Sequence, residues 1–146
     1  MSTLERAVAI AAEAHAGQID KAGSPYILHP LRVMLAVSTD DERIVGVLHD
    51  VCEDCPGWTL ERLGQEGFSP RVLEALDSVT KRDGEDYPDF VLRAGANTIG
   101  RAVKLADLRD NMDLSRIAAP TERDFARIER YRAAVAALGR SRLKPA

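Results

Sequence analysis

The segment from Ile44 to Asp54 reads IVGVLHDVCED, an apolar run followed by one histidine and three carboxylates. Its spacing predicts a helix in which His49 and Glu53 lie one turn apart. Asp50 and Asp54 are related in the same way. Because the apolar run predicts burial, His49 and Asp50 stand at the edge of the core, where an unpaired carboxylate is costly. Metal coordination at this helix end removes that cost, and the segment therefore favours a metal site.

A second predicted helix carries a similar mixture of side chains. It runs from Thr98 to about Asn111 and places Lys104, Asp107 and Asp110 on one stripe with Asn111. A stripe that combines a cation, carboxylates and an amide is what a site for a metal ion and a phosphate group needs.

One further histidine approaches from a third direction. His29 ends a loop between residues 17 and 30 that is rich in glycine and proline. Two imidazoles and two carboxylates with open positions suit Mn²⁺, Fe²⁺ or Zn²⁺. Such an ion polarises a phosphoryl oxygen and activates water, and Glu53 or Asp54 could then handle protons. The predicted metal ligands are His29, His49, Asp50 and Asp107.

Each of these residues taken alone also has a structural explanation. Asp107 could pair with Lys104 or Arg109 between packed helices, while Glu53 and Asp54 could end a solvated helix. It is the combination of groups from three segments that indicates a metal-dependent site.

The rest of the sequence predicts an all-α fold. No segment shows the two-residue alternation of a strand, and apolar residues recur at helical spacing along the chain. We expect one domain over residues 1–146, a compact bundle of six to eight helices, with its core at about 4–115 and a frayed basic tail from residue 139. Capping residues and apolar spacing predict helices from Leu4 (with a Ser2–Glu5 capping box) to about Ala16, from Leu31 (with Pro30 at its start) to Ser38, from Asp41 to about Asp54, from Thr59 to about Glu66, from Pro70 to about Lys81, from Tyr87 through Leu92, from Thr98 to about Asn111, and from about Glu122 to Leu138.

Composition excludes several classes of function. The chain has 146 residues and a net charge of −3, whereas a nucleic-acid-binding domain is expected to be basic. No apolar run approaches the ~18 residues of a membrane helix, and the first helix is amphipathic rather than a signal peptide. We therefore expect a cytoplasmic protein that binds neither nucleic acid nor membrane, with Cys52 and Cys55 as reduced thiols. The sequence does not predict an oligomeric state.

The motifs together resemble the HD-type hydrolase domain of the Rel/SpoT alarmone enzymes and their small stand-alone relatives. The resemblance covers about residues 4 to 115, in the order of that family. The matching pieces are His15-Ala16-Gly17-Gln18, Lys21, Pro25-Tyr26-Ile27 with His29-Pro30-Leu31, Leu48-His49-Asp50-Val51 with Glu53-Asp54, and Val103-Lys104-Leu105-Ala106-Asp107 with Asn111-Met112.

This resemblance implies an activity and a set of roles. The family is all-helical, typically uses Mn²⁺, and removes the 3′-pyrophosphate of ppGpp or pppGpp to give GDP or GTP and pyrophosphate. By resemblance, His29, His49, Asp50 and Asp107 hold the metal. The family's catalytic carboxylates correspond to Glu53 and Asp54. The residues that line the pocket for the nucleotide or its phosphates correspond to Lys21, Lys104 and Asn111.

The sequence departs from the family at positions that concern base recognition. Asp20 stands where the family usually has an arginine that stacks on guanine. An anion there is expected to weaken guanine recognition, unless Asp20 faces solvent and Arg32 or Arg109 supplies the cation. Two alternatives remain: a phosphohydrolase for another phosphate ester, such as a nucleoside monophosphate or NADPH, and a non-catalytic nucleotide sensor. A sensor is expected to lose a ligand or both catalytic carboxylates, and the chain retains all of them.

Overall fold

The computed structural model describes residues 1–140, which form helices joined by turns and loops. Eight helices of six or more residues and one single-turn helix lie within this range, and no strand forms there apart from a bridge between Ile19 and Pro25. The all-α prediction is therefore confirmed. The helices are α1 (Leu4–Ala14), α2 (Leu28–Ala36), α3 (Asp40–Leu48), α4 (Val51–Asp54), α5 (Leu60–Gln65), α6 (Pro70–Ser78), α7 (Tyr87–Gly95), α8 (Thr98–Asn111) and α9 (Glu122–Arg140).

Helices α3 and α8 form the centre of the bundle. Helix α3 packs against α1, α2, α6 and α8, while α8 also contacts α7 and α9. The main core lies among α1–α6 and the first half of α8, and a smaller cluster around Val91, Leu108 and Leu138 joins α7, α8 and α9. Within residues 1–140, no helix is both long and apolar enough to cross a membrane.

The close packing of α2 against α3 depends on Gly46. A Cβ atom at this position would lie 3.3 Å from the Met34 Cα atom, closer than most such contacts. The absence of a side chain lets the two backbones approach, and this brings His29 on α2 next to the end of α3.

One predicted N-cap and one predicted helix start are wrong, although α1 begins at Leu4 as predicted. Helix α1 is capped by Thr3, whose hydroxyl accepts from Arg6 N, and not by Ser2. Helix α2 starts at Leu28 rather than Leu31. Pro30 is accommodated at its third position because the first four N–H groups of a helix need no intrahelical acceptor.

The predicted helix from Asp41 to Asp54 is two helices. Thr39, rather than Asp40, caps α3 in a capping box with Glu42. The regular helix ends at Leu48, and Asp50 has φ −101° and ψ −3°, a backbone region common in turns and active sites. This break turns His49 and Asp50 toward α2 and α8.

The other predicted boundaries differ mainly at helix C-termini. Helix α1 stops at Ala14, two residues before the predicted end. Helix α6 ends at Ser78 rather than near Lys81, because the Arg93 guanidinium takes the carbonyl groups of Asp77 and Thr80 at 2.7 Å each. In the predicted tail, residues 139 and 140 continue α9, and the remainder lies outside the described residues.

Gly100 provides a test of the packing around α8. A Cβ atom there would overlap the Ser78 hydroxyl and lie 3.0 Å from the Ala94 carbonyl oxygen. Overpacking of this kind typically costs about 1–3 kcal/mol, so we expect Gly100→Ala to lower the free energy of unfolding by about that amount in urea denaturation.

Gly139→Ala is the matched control. It adds the same methyl group to a helix where no atom lies within 4 Å, so its stability should be unchanged or slightly higher. If Gly100→Ala is as stable as the wild type, α8 does not approach Ser78 of α6 as closely as the structure indicates.

Candidate metal and phosphate site

The ends of α2, α3 and α8 meet at one cluster of imidazoles and carboxylates. His29, His49 and Asp50 each offer one donor atom, and these atoms lie within 4.8 Å of one another. Asp107 Oδ1 lies 3.0 Å from His29 Nε2 and 3.4 Å from His49 Nε2. All four predicted ligands are therefore brought together, although they come from positions up to 78 residues apart.

Both histidines use one ring nitrogen for orientation and turn the other toward the carboxylates. His49 Nδ1 lies 2.6 Å from the Gly46 carbonyl oxygen, which only accepts, so this nitrogen carries the proton. His29 Nδ1 faces Asp110 Oδ2 at 2.6 Å in the same way. The two Nε2 atoms consequently point at Asp50 and Asp107.

The orphaned Nε2 atom of His49 shows that a cation fits this cluster. It is buried and has no hydrogen-bond partner among the described residues, although Asp50 Oδ2 lies at 3.0 Å. A neutral ring would direct a lone pair at two carboxylates, which is unfavourable unless a positive charge lies between them. Two imidazole nitrogens and two carboxylate oxygens are a donor set for a borderline divalent ion, so these residues could hold one.

The charges around Asp107 keep its carboxylate ionised. Burial alone would raise its pKa, but the Lys104 ammonium, 3.1 Å from Oδ2, holds the pKa well below its usual range. Asn111 Nδ2 also donates to Oδ1 at 3.0 Å. Asp107 thus remains a charged acceptor in a buried place.

Lys104 and Asn111, predicted to bind substrate, therefore contact a predicted metal ligand directly. Lys104 is buried, with its Nζ atom 4.6 Å from the centre of the Phe90 ring. Both residues still line the cavity that contains the cluster.

Asp50 is held by a residue that the sequence analysis did not single out as functional. The Tyr26 hydroxyl donates to Asp50 Oδ2 at 2.5 Å. Its pKa is raised by burial and by the negative charge of Asp50, so the phenol keeps its proton and remains a donor. The Tyr26 ring packs on buried His15, 5.1 Å between centroids. The Pro-Tyr-Ile piece of the family pattern was the one signal that could have indicated this role.

The predicted catalytic carboxylates line the same cavity of about 250 Å³. Glu53 Oε1 accepts from the Lys81 N–H at 3.1 Å. Burial raises the pKa of Glu53, and burial together with Asp50 raises the pKa of Asp54. Both groups therefore hold a proton at higher pH than an exposed carboxyl does, which suits residues that exchange protons.

A larger cavity of about 370 Å³ adjoins the first, and Tyr26, His29, Asn111 and Tyr131 line both. Lys21 lies at its edge, whereas Arg32, Arg116 and Arg127 each pair with an aspartate there. A ligand in this cavity would reach the cluster through the shared residues.

The Asp20 carboxylate closes the loop that borders the larger cavity. Its Oδ1 atom accepts from the N–H groups of Ala22 and Ser24, both at 2.9 Å. Of the two cations considered as substitutes for the family's arginine, Arg32 lines this cavity. Arg109 lies on the groove between α2 and α8 instead.

The chain is similar in sequence to several known proteins. The chain is 33% identical over 133 residues to a probable GTP pyrophosphokinase of Mycobacterium leprae, a match that covers 82% of this chain. It is 35% identical over 118 residues, 70% of this chain, to the guanosine-3′,5′-bis(diphosphate) 3′-pyrophosphohydrolase of Haemophilus influenzae. In each case the match spans 17% of the relative's length.

The fold has a counterpart among solved structures, although no protein-family model matches the chain. A structure described as a metazoan ortholog of SpoT that hydrolyzes ppGpp superposes with a TM-score of 0.81 and 22% sequence identity. The superposition covers 97% of this chain and 88% of the solved chain. Its relatives in sequence, together with the shared fold, show that the chain belongs to the Rel/SpoT family of alarmone proteins.

Proposed function

We propose that this chain is a metal-dependent phosphohydrolase that removes the 3′-pyrophosphate of ppGpp or pppGpp, giving GDP or GTP and pyrophosphate. The observation that carries the proposal is the pair of Nε2 atoms that face Asp50 and Asp107 in one cavity with Glu53. The names of the relatives supply the substrate.

His29, His49, Asp50 and Asp107 are the proposed ligands, and Mn²⁺ is the proposed ion, with Fe²⁺ and Zn²⁺ as alternatives. A divalent ion there supplies Lewis-acid activation of a phosphate ester and of water. Tyr26 and the two Nδ1 contacts hold the ligands in orientation before any ion or substrate arrives.

Glu53 and Asp54 are proposed to move protons. In the hydrolysis, water adds to the phosphorus attached to ribose O3′, the bond between O3′ and phosphorus breaks, and the pair of electrons goes to O3′. One proton leaves the attacking water and one is needed at O3′. Glu53 accepts from the Lys81 N–H, and Asp54 is an exposed residue that lines the same cavity, so both are placed to accept or return a proton.

Lys21, Lys104 and Asn111 are the proposed contacts to the nucleotide. Lys104 and Asn111 line the smaller cavity, where a pyrophosphate group would lie close to the cluster. Lys21 and Asn111 line the larger one, which has room for the nucleoside. Asn111 spans the two and is proposed to contact the part of the substrate between them.

The position of Asp20 favours a second candidate substrate class. Its negative charge lies at the edge of the larger cavity, and the arginines of that cavity are already paired. A guanine base would therefore meet no unpaired arginine among the described residues, and another phosphate ester, such as a nucleoside monophosphate or NADPH, is the alternative. Release of phosphate or pyrophosphate from ppGpp, NADPH and nucleoside monophosphates, measured with Mn²⁺, decides between them. Absence of turnover on every compound would contradict the proposed activity.

Removing a ligand should remove the metal. We expect Asp50→Ala and Asp107→Ala to lose bound Mn²⁺, because each takes one anionic donor from a buried cluster. Elemental analysis after desalting measures this loss. Asp40→Ala, at an exposed position in the first turn of α3, is the control and should retain the metal content of the wild type. Full metal content in either ligand variant would overturn the ligand assignment.

Glu53→Gln and Asp54→Asn should retain the metal and lose activity. The glutamine can still accept from the Lys81 N–H while carrying no proton-exchanging group. General acid–base catalysis typically contributes ~10²–10⁴ in rate, so we expect kcat to fall within that range. Glu61→Gln, an exposed position on α5, is the control. Wild-type turnover in both variants would exclude the catalytic role.

A further inference from the structure

Asp110 lies one turn after Asp107 on α8 and joins a predicted metal ligand to an arginine. Its Oδ2 atom is 2.6 Å from His29 Nδ1. The Arg32 guanidinium grips the same carboxylate from the other side, with Nε 2.7 Å from Oδ1 and Nη2 3.1 Å from Oδ2. The proposed metal ligands alone explain neither the contact of Asp110 with His29 nor its contact with Arg32.

We infer that Asp110 is a positioning residue that orients His29 for metal binding and increases its strength as a ligand, with Arg32 holding Asp110 in place. The inference rests on the proposed metal-dependent function. An imidazole can turn about χ2 and exchange its two nitrogens, and the contact with Asp110 selects the orientation in which Nε2 faces Asp50 and Asp107.

The two histidines differ in the group that orients them. His49 donates to the carbonyl of Gly46, three residues earlier in the same helix. His29 is oriented by a carboxylate that is 81 positions away in sequence. A charged acceptor forms a stronger hydrogen bond than a neutral carbonyl and withdraws the Nδ1 proton further, so Nε2 becomes the better donor to a metal.

Arg32 gives Asp110 a fixed geometry. A paired contact from a planar guanidinium holds the carboxylate in one orientation, and Asp110 is the acceptor for His29 and Arg32 together. An aspartate paired with a guanidinium is ionised at neutral pH, so the orienting group is an anion.

Asp113, just after the end of α8, offers a matched control. Its carboxylate also borders the larger cavity and also pairs with an arginine, Arg116, at 3.0 Å. No contact joins Asp113 to a histidine among the described residues. Arg116 also reaches Asp110, 3.5 Å from Oδ1 and 3.1 Å from the backbone oxygen. Removing Asp113 nevertheless changes the local charge by the same amount without touching His29 or the pair between Asp110 and Arg32.

The test is the affinity of the full chain for Mn²⁺, followed from the electron paramagnetic resonance signal of the free ion. Loss of a group that orients a histidine ligand typically weakens metal binding by ~10–100-fold, and we expect this range for Asp110→Ala. We expect Asp110→Asn to fall between Asp110→Ala and the wild type, because the amide oxygen still accepts from Nδ1 but carries no charge. Asp113→Ala should remain within about twofold of the wild type, as removal of a partly exposed charge has little effect.

The absorption spectrum of bound Co²⁺ distinguishes a positioning role of Asp110 from a loss of the fold and from a general effect of charge. With Co²⁺ as the probe, Asp110→Asn should shift the visible absorption bands, because His29 becomes a weaker ligand, while Asp113→Ala should leave them unchanged. If Asp110→Ala does not fold by circular dichroism, the nearly isosteric asparagine variant decides the question.

The outcomes distinguish this inference from the proposed function. Wild-type Mn²⁺ affinity and an unchanged Co²⁺ spectrum in Asp110→Asn would overturn the inference and leave the metal site intact. Equal weakening by Asp113→Ala would also overturn it, since charge alone would then explain the effect. Failure of the wild type to bind either ion would contradict the proposed function itself, and the inference with it.

Discussion

One constraint underlies the structure: a carboxylate can be buried only where a positive charge lies beside it. Asp107 is almost completely buried at the centre of α8, where an isolated anion would be strongly unfavourable. It is compensated by the Lys104 ammonium and by the Asn111 amide, and a cation bound at Nε2 of the His29 ring, 3.0 Å from Oδ1, would add positive charge there. Lys104 and Asn111 come from α8 itself, but the ring comes from α2. The position of α2 against α3, which Gly46 permits, is therefore part of what makes a charged residue tolerable there.

The sequence predicted the helices well because their signals are local. Apolar spacing and capping residues lie within one or two turns of the segment they specify, and α5, α7 and α8 start where these signals place them. The errors occur where a distant group competes with a local one. Helix α6 ends early because Arg93, from the next helix, takes carbonyl groups at its C-terminus. The break after Leu48 follows from contacts that Asp50 makes outside its own helix.

The same distinction applies to the site. His29, His49, Asp50 and Asp107 could be selected by residue type, spacing and resemblance, and the fold brings them together. Asp110 could not be selected in this way, and only the Pro-Tyr-Ile piece of the family pattern indicated Tyr26. The Tyr26 hydroxyl lies 24 positions from Asp50, and Asp110 lies 81 positions from His29. Which tyrosine or aspartate meets a given ligand is decided by how helices cross, and a single sequence contains no direct record of that.

The two adjoining cavities separate the residues proposed for catalysis from those proposed for substrate recognition. In the smaller one, the charged side chains are held by contacts among themselves, so a change at one ligand alters the environment of the others. In the larger one, Asp20 is fixed by backbone N–H groups of its own loop, and the arginines pair with aspartates that are not proposed ligands. Residues there can change without disturbing the cluster, which explains how this chain departs from its family at Asp20 while keeping every proposed ligand. Arg32 is the exception, because its ion pair connects the recognition cavity to His29.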